Sequence, residues 1–422
     1  MRIAVIGGGI SGIGAAQVLD KDHEVTLFEE RNVIGGHANT VEIPDQIYGT
    51  TTNIDTGFIV FNDRNYPAFS AFLRDLNVSS DKTSMSFSYS DNNLNLEYAG
   101  TPKGLLPGWG SIMNPKYIAL IWSIYKYSRK LESWAQVPDE MSYSIVELLK
   151  EMGCPRRTIE TYFLPIASAI WSCDTKNVNK IPAHTFIQFF SNHGLLNLRN
   201  RPQWYSVCNG SRSYLKAFQG NFKGEIITDT RIVSCREQAG KIVLDSATGQ
   251  IYDFDLAILA TPADKSLSIY QGNDSNMKRI LSSYHYTSNE VVLHSDQKFM
   301  PGNRRIWSSW NFISESNREQ GKQTYVTYYM NLLQNLDGDI SYFVTLNPPC
   351  SPEPQAIFYQ TTYRHPMLTH DEQATSLNFA DLNNGKTIYF CGSYLGYGFH
   401  EDGFSSGVKV AELVNSRIPS SS

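Results

Sequence analysis

RIAVIGGGISGIGAAQVL, residues 2–19, passes from an apolar run through Gly7, Gly9 and Gly12 to the Ala15, Ala16, Val18, Leu19 spacing of a helix. It reads as strand, tight turn, helix. The glycines let the chain turn sharply, admit a pyrophosphate close to main-chain N–H groups and let the helix lie near the strand. Ile10 and Ser11 open that helix, whose N-terminus adds partial positive charge. A second apolar run, EVTLF at 24–28, leads into Glu29, 17 positions after Gly12. A carboxylate there accepts from ribose hydroxyls and repels a 2′-phosphate, so the expected guest is a dinucleotide, FAD or NAD.

With 422 residues the chain has room for two or three domains of roughly 150 residues each. Its net charge of −5 is mild and no run of Lys or Arg tracks phosphates, so nucleic acid is not an expected partner. Six cysteines are scattered without the pairing of a zinc knuckle or dithiol centre, which points to no metal and a reducing compartment. Strand-like residues from Arg2 leave no room for a leader, so the expected location is cytoplasmic. The apolar run YIALIWSIY at 117–125, flanked by Lys116, Lys126, Arg129 and Lys130, is too short to span a bilayer but suits peripheral membrane contact. The wider stretch 105–134 reads as a helical wall for an apolar substrate or, as the ordinary alternative, an amphipathic core helix.

After Glu29 come Glu30, Arg31, the pair Gly35–Gly36 with His37, and then NIDTGFIVF at 53–61. A glycine pair soon after the ribose acid, followed by a D-x-G strand, resembles the FAD-binding half of the monoamine oxidase and phytoene desaturase superfamily. The resemblance implies that Glu29, Glu30, Arg31, Gly35, Gly36 and His37, and the backbone of Thr56, Gly57, Phe58 and Ile59, approach the cofactor. Arginine usually follows the glycine pair in that superfamily. Here it is His37, which carries only partial charge near neutral pH.

Residues 223–263 read as short strands separated by QAG and ATGQ turns, closing on an apolar run at 256–260. An ordinary antiparallel insertion would show the same turns. The resemblance implies that Ile232 meets adenine and that Thr261 marks re-entry into the flavin domain. Near the end, KTIYFC at 386–391 is a strand, GSYLGYGF at 392–399 a glycine-rich loop, and SSGVKVAELV at 405–414 the start of a helix. By resemblance, Gly392, Asp402, Gly403 and Phe404 face the ribityl chain and the N1–C2 carbonyl edge of the flavin. A helix N-terminus suits that place, because reduced flavin is negative at N1.

His400, two residues before Asp402, is the candidate catalytic residue, a base for the proton that accompanies hydride transfer at flavin N5. The alternative is a histidine bonded to loop backbone. Amine oxidases hold a water near N5 with a lysine, for which Lys298 is the candidate. Packing or a structural hydrogen bond, ahead of catalysis, is the expected role of His294, Asp296, Trp307, Trp310 and His365. Cys391 lies in a strand with buried neighbours, so FAD is expected to be non-covalent.

LPIASAIWS at 164–172, RPQWYSVCNGSRSY at 201–214 and GFHEDG at 398–403 extend the likeness over the whole chain. They resemble NAD(P)/FAD-dependent oxidoreductases often encoded beside cyclopropane-fatty-acid-synthase-like methyltransferases. The implied fold is α/β: a Rossmann-like FAD-binding domain of the glutathione-reductase and amine-oxidase type, interleaved with an α+β substrate domain. The FAD domain would comprise 1–60, 200–265 and 370–422, and the substrate domain 61–199 and 266–369. The implied activity is two-electron transfer on an apolar acyl lipid, by desaturation, saturation or isomerisation, with a cyclopropane-synthase-like methyltransferase as partner. Two alternatives stand beside it: an amine or amino-acid oxidase using oxygen, and a non-catalytic FAD-bound partner of a lipid-modifying enzyme.

Overall fold

The computed structural model describes residues 1–44, 51–101, 103–105, 107–108, 113–134, 143–171, 175–196, 201–317, 321–367, 379–385 and 387–417. Parts of the expected wall at 105–134 and the head of the piece 370–422 lie outside them.

Five parallel strands form one sheet in the order Glu225–Ile227, Glu24–Phe28, Arg2–Ile6, Leu256–Leu259, Ile388–Phe390. Ile3, Ala4 and Val5 are each 0% exposed, as a parallel sheet covered on both faces requires. Ile3 and Val5 face the helices Ile10–Leu19 and His400–Arg417, whereas Ala4 and Ile6 face an antiparallel meander of Ile232–Gln238, Lys241–Ser246 and Ile251–Phe254. The apolar run after the meander therefore returns to the nucleotide sheet beside the first strand. Residues from 1–60, 200–265 and 370–422 supply all five strands.

A second sheet has seven strands in the order Ile357–Pro366, Tyr286–His294, Phe343–Leu346, Gly321–Tyr329, Trp310–Asn317, Phe87–Asp91, Leu96–Ala99. Trp310–Asn317 runs parallel to Phe87–Asp91, and the other pairings are antiparallel. Helices from 115–192 pack beside it around Phe163, Trp171, Phe186 and Phe190. Pro115 occupies the first turn of Pro115–Glu132, and Asn114 caps it by accepting from the Lys116 N–H. Ser144 and Glu147 close a capping box on Ile145–Glu151. A further small sheet sets Trp204–Val207 between Val60–Asn62 and Ser80–Thr83. The cavity described next lies where these layers meet.

Candidate active site

The glycine turn and the glycine pair are laid directly on each other. Gly35 N–H donates to the Gly8 carbonyl at 2.8 Å, and Gly9 and Gly35 form a parallel bridge. Gly36 has φ +62°, and a Cβ there would stand 3.2 Å from the Gly9 Cα, so a side chain would close the floor of the groove. Glu29 is buried beside it, accepting from the Gly8 N–H at 2.9 Å and the Arg31 N–H at 3.0 Å. Burial raises its pKa, and these two N–H groups and the Arg31 guanidinium work against that rise. The first helix, capped by Gly9 without a side-chain bond, leaves its leading N–H groups for an anion.

From this groove a cavity of about 1660 Å³ runs to the helix Pro115–Glu132. Single small-molecule sites are roughly 300–1,000 Å³, so this one accommodates a dinucleotide and a second ligand. Bordering it are Gly7, Gly9, Ile10, Ser11, Glu29, Glu30, Arg31, Gly35, Gly36 and His37; farther along lie Thr56, Gly57, Phe58, Ile59, Ile232, Thr261, Gly392 and His400.

Four expected residues stand behind that wall. Gly12 packs on the Gly7 carbonyl, Gly403 on Ile10 and Ser11, and Phe404 on Phe72 at 4.8 Å between ring centroids. Asp402 turns to its own loop, accepting from the Phe399 N–H at 2.8 Å, and burial pushes its pKa up to about 7. The reason is that the last helix starts at His400 rather than 405, placing Glu401 and Asp402 in its first turn, where acids are favoured.

Sequence reading missed Glu401. Its carboxylate accepts from the Ala68 and Phe69 N–H groups, both at 2.9 Å, and so caps the helix Pro67–Asp75. The signal was a helix opening on proline with Tyr66, rather than Ser, Thr, Asp or Asn, in front of it.

Both ends of the chain therefore contribute to one groove with a buried carboxylate, Glu29, at its glycine-lined end. The family model described as flavin containing amine oxidoreductase matches residues 10–415. The chain belongs to that family. It is an FAD-dependent oxidoreductase, and the groove fits its cofactor. Among solved structures, putrescine oxidase bound to putrescine is 13% identical with a TM-score of 0.69, covering 99% of this chain and 100% of that one. A CLA-producing fatty acid isomerase from P. acnes has 14% identity and a TM-score of 0.67, covering 99% and 98%. Cyclohexylamine oxidase from Brevibacterium oxydans IH-35A has 13% and 0.68, covering 98% of each chain. At these identities the likeness is one of fold. A 4,4′-diapophytoene desaturase of Staphylococcus aureus is 46% identical over 43 residues, 10% of this chain and 9% of the desaturase.

With the cofactor known, the Glu29 contacts predict a result. Glu29→Ala strands the Gly8 and Arg31 N–H groups and removes the carboxylate expected at the ribose, so FAD should bind about 10- to 100-fold more weakly, the range of one or two charge-assisted hydrogen bonds. Titration of apoprotein by quenching of flavin fluorescence measures this; unchanged affinity would show that Glu29 does not touch the cofactor.

Four histidines border the cavity of this flavoprotein. His400 is 9% exposed, stacks on Phe58 at 3.7 Å and places Nε2 3.0 Å from the Tyr214 hydroxyl. Burial, then the nearby His37, hold its pKa well below the usual range, so it sits neutral. His37 reaches the Arg364 carbonyl with Nε2 at 3.1 Å. Desolvation in the cavity, then the Arg31 guanidinium, lower its pKa. His193 donates from Nδ1 to the Phe189 carbonyl at 2.8 Å, Nε2 has no hydrogen-bond partner among the described residues, and burial lowers the pKa to about 4. His365 is taken up below.

Lys298 is a correction: it pairs with Asp296 at 3.0 Å and Glu353 at 3.6 Å, 42% exposed, and does not border the cavity. The adjoining strand Tyr286–His294 carries no lysine. His294, with Nε2 on Thr345 at 2.7 Å and Nδ1 accepting from the Asp296 N–H, and Trp307, bonded to the Pro301 carbonyl at 2.7 Å, are also behind the wall. Trp310 and His365 border the cavity.

Proposed function

We propose that this FAD-dependent oxidoreductase acts on an apolar acyl chain, desaturating, saturating or isomerising it. The observation that carries this reading is the far arm of the cavity, walled by Tyr98, Tyr117, Ile121, Tyr162, Phe189 and Trp310. Among the described residues the carboxylates bordering the cavity are Glu29 and Glu30, at the nucleotide end. An ammonium substrate in the arm would have no counter-charge beside it, which counts against an amine oxidase.

Bound FAD supplies a hydride acceptor or donor at N5. The chain contributes a shaped channel and a proton acceptor, His193, which borders the cavity and whose bond from Nδ1 leaves Nε2 as the accepting nitrogen. His400, neutral and engaged by Tyr214, suits orientation of the Phe58 ring better than proton transfer. Cys391 does not border the cavity and its thiol points at the Ser11 carbonyl at 3.8 Å, which supports non-covalent FAD.

Delivery from a lipid surface is part of the reading. Ile118, Trp122 and Tyr125 are 54%, 61% and 50% exposed on one face of Pro115–Glu132, and all three border the cavity. Lys126 lies over the Trp122 ring at 5.2 Å. Among the described residues no helix is long and apolar enough to cross a membrane. A cyclopropane-synthase-like methyltransferase as partner rests on the sequence resemblance, and co-purification tests it.

The deciding experiment is anaerobic mixing of the FAD holoenzyme with unsaturated fatty acids or phospholipids, or with putrescine or cyclohexylamine. Bleaching of the flavin, or a shifted double bond in the recovered lipid, is expected with the acyl substrates only. Bleaching by amines with peroxide release in air would overturn the acyl reading, and a flavin inert to every substrate would favour a non-catalytic partner. His193→Phe should keep the flavin spectrum and lose about 10²- to 10⁴-fold in turnover.

A further inference from the structure

The strand Ile357–Pro366 carries Tyr363, Arg364 and His365 to the cavity wall beside Gly57 and His37. The His37 ring lies 5.0 Å from Tyr363 and 5.3 Å from His365, and the Tyr363 hydroxyl is 2.8 Å from Thr56 Oγ1. Tyr363 on one side of His365 meets the stretch 56–59, and Pro366 on the other lies 3.0 Å from where a Cβ at Gly398 would stand, in the loop that starts at Gly392, so His365 stands where the redox ring of FAD is expected.

The position of the proton on His365 follows from a main-chain N–H two side chains away. Glu290 N–H donates to Asn347 Oδ1 at 3.0 Å, which leaves Asn347 Nδ2 to donate to Asn289 Oδ1 at 2.8 Å. Asn289 therefore presents Nδ2 to His365 Nδ1, at 2.9 Å. An amide NH₂ only donates, so Nδ1 accepts and the neutral ring carries its hydrogen on Nε2. Asn289 is 2% exposed, and the chain of amides cannot invert without stranding the Glu290 N–H. Burial and the neighbouring His37 hold the His365 pKa down to about 3, so the doubly protonated ring does not compete.

We propose that His365 is a fixed Nε2–H donor to the redox ring of bound FAD, directly or through one water, and that Asn289 and Asn347 are positioning residues that lock its tautomer. The proposal rests on the FAD reading, not on the acyl substrate. Reduction adds negative charge to the flavin ring, so a donor fixed against it favours the reduced state. No neighbour has to reorganise when the electrons arrive.

The test is the two-electron reduction potential of the FAD holoenzyme, equilibrated with a reference dye, for wild type, His365→Phe, His365→Gln and Asn289→Leu. Loss of the donor should cost about tenfold in the reduction equilibrium, a drop of ~30 mV for two electrons. Gln keeps an N–H and should recover most of that drop. Asn289→Leu, which leaves the His365 ring in place but unlocked, should move the potential in the same direction. FAD affinity should stay within about threefold throughout, since the ribose and pyrophosphate contacts are untouched. Potentials of His365→Phe and Asn289→Leu equal to wild type would overturn the assignment. If His365→Phe does not retain FAD, the comparison of Asn289→Leu with His365→Gln decides. A wild-type chain that takes up no FAD would instead undo the cofactor reading itself.

Discussion

Gly12→Val will give a protein that purifies without FAD and melts well below wild type. A Cβ at residue 12 would stand 1.9 Å from the Gly7 carbonyl oxygen and 3.3 Å from Val5 Cγ1. Gly7 cannot retreat: its N–H is bonded to the Phe28 carbonyl at 2.8 Å, and its own Cβ position is 2.6 Å from the Ala260 carbonyl oxygen. The helix Ile10–Leu19 would have to lift instead, but its other side is clamped. A Cβ at Gly407 would lie 2.0 Å from the Ser11 carbonyl oxygen, and one at Gly14 2.6 Å from that of Phe404. Overpacking into side chains costs about 1–3 kcal/mol, and contact with backbone on two sides places this change at or above ~4 kcal/mol. Gly407→Val makes the same demand from the last helix, through the Ser11 carbonyl rather than the glycine turn, so it should lower stability similarly. Absorbance of the purified proteins and their melting temperatures test both. A Gly12→Val protein with stoichiometric flavin would show that this glycine does not set the approach of helix to turn.

The contrast between those two glycines shows what the sequence could express. Gly7, Gly9, Gly12 and Glu29 are readable because strand, turn and helix follow each other within thirty residues, so spacing alone carries the geometry. Gly403 reads as loop, and Gly407 only as the opening of a helix at 405, because glycine is worth about 1 kcal/mol less than alanine inside a helix. They are helical because the first and last helices approach too closely for a Cβ. That contact spans nearly the whole chain and leaves no local trace. The same holds for His365, whose proton is set by Asn289 and Asn347, residues on other segments, and for His193, whose accepting nitrogen depends on the Phe189 carbonyl. Lys298 shows the converse. Its place near a strand suggested a flavin contact, but it pairs with Asp296 and Glu353 and does not border the cavity.

Asp55→Ala should be the most damaging loss of a single polar group at a residue outside the cavity wall. Asp55 is 1% exposed and its carboxylate accepts from Thr40 Oγ1 at 2.6 Å, Ser211 N–H at 2.9 Å, Ser211 Oγ at 2.7 Å and Gln334 Nε2 at 3.2 Å. Gln334 Oε1 accepts in return from the Asp55 N–H at 2.9 Å. One carboxylate thus ties the strand pair Thr40–Pro44 and Thr51–Asp55 to the start of Arg212–Asn221 and to the end of Met330–Leu333. Burial pushes its pKa up to about 6, and the bonds from Thr40 and Ser211 oppose the rise, so it is ionised at neutral pH because those donors surround it. Alanine leaves them buried and unpaired at about 1–3 kcal/mol each, coupled through one atom pair, for a loss near 3–5 kcal/mol. The loss should reach the site by two routes. Thr56 follows directly in the chain, and Ser211 leads through Tyr214 to His400, so FAD affinity should fall with stability. Asp55→Asn keeps the volume but turns an NH₂ toward at least one donor, and should fall between alanine and wild type. Urea midpoints with and without FAD distinguish the outcomes. If Asp55→Ala unfolds at the wild-type midpoint, the four contacts do not hold these segments together. If it loses stability but keeps full FAD affinity, the stretch 56–59 is positioned from the cofactor side instead.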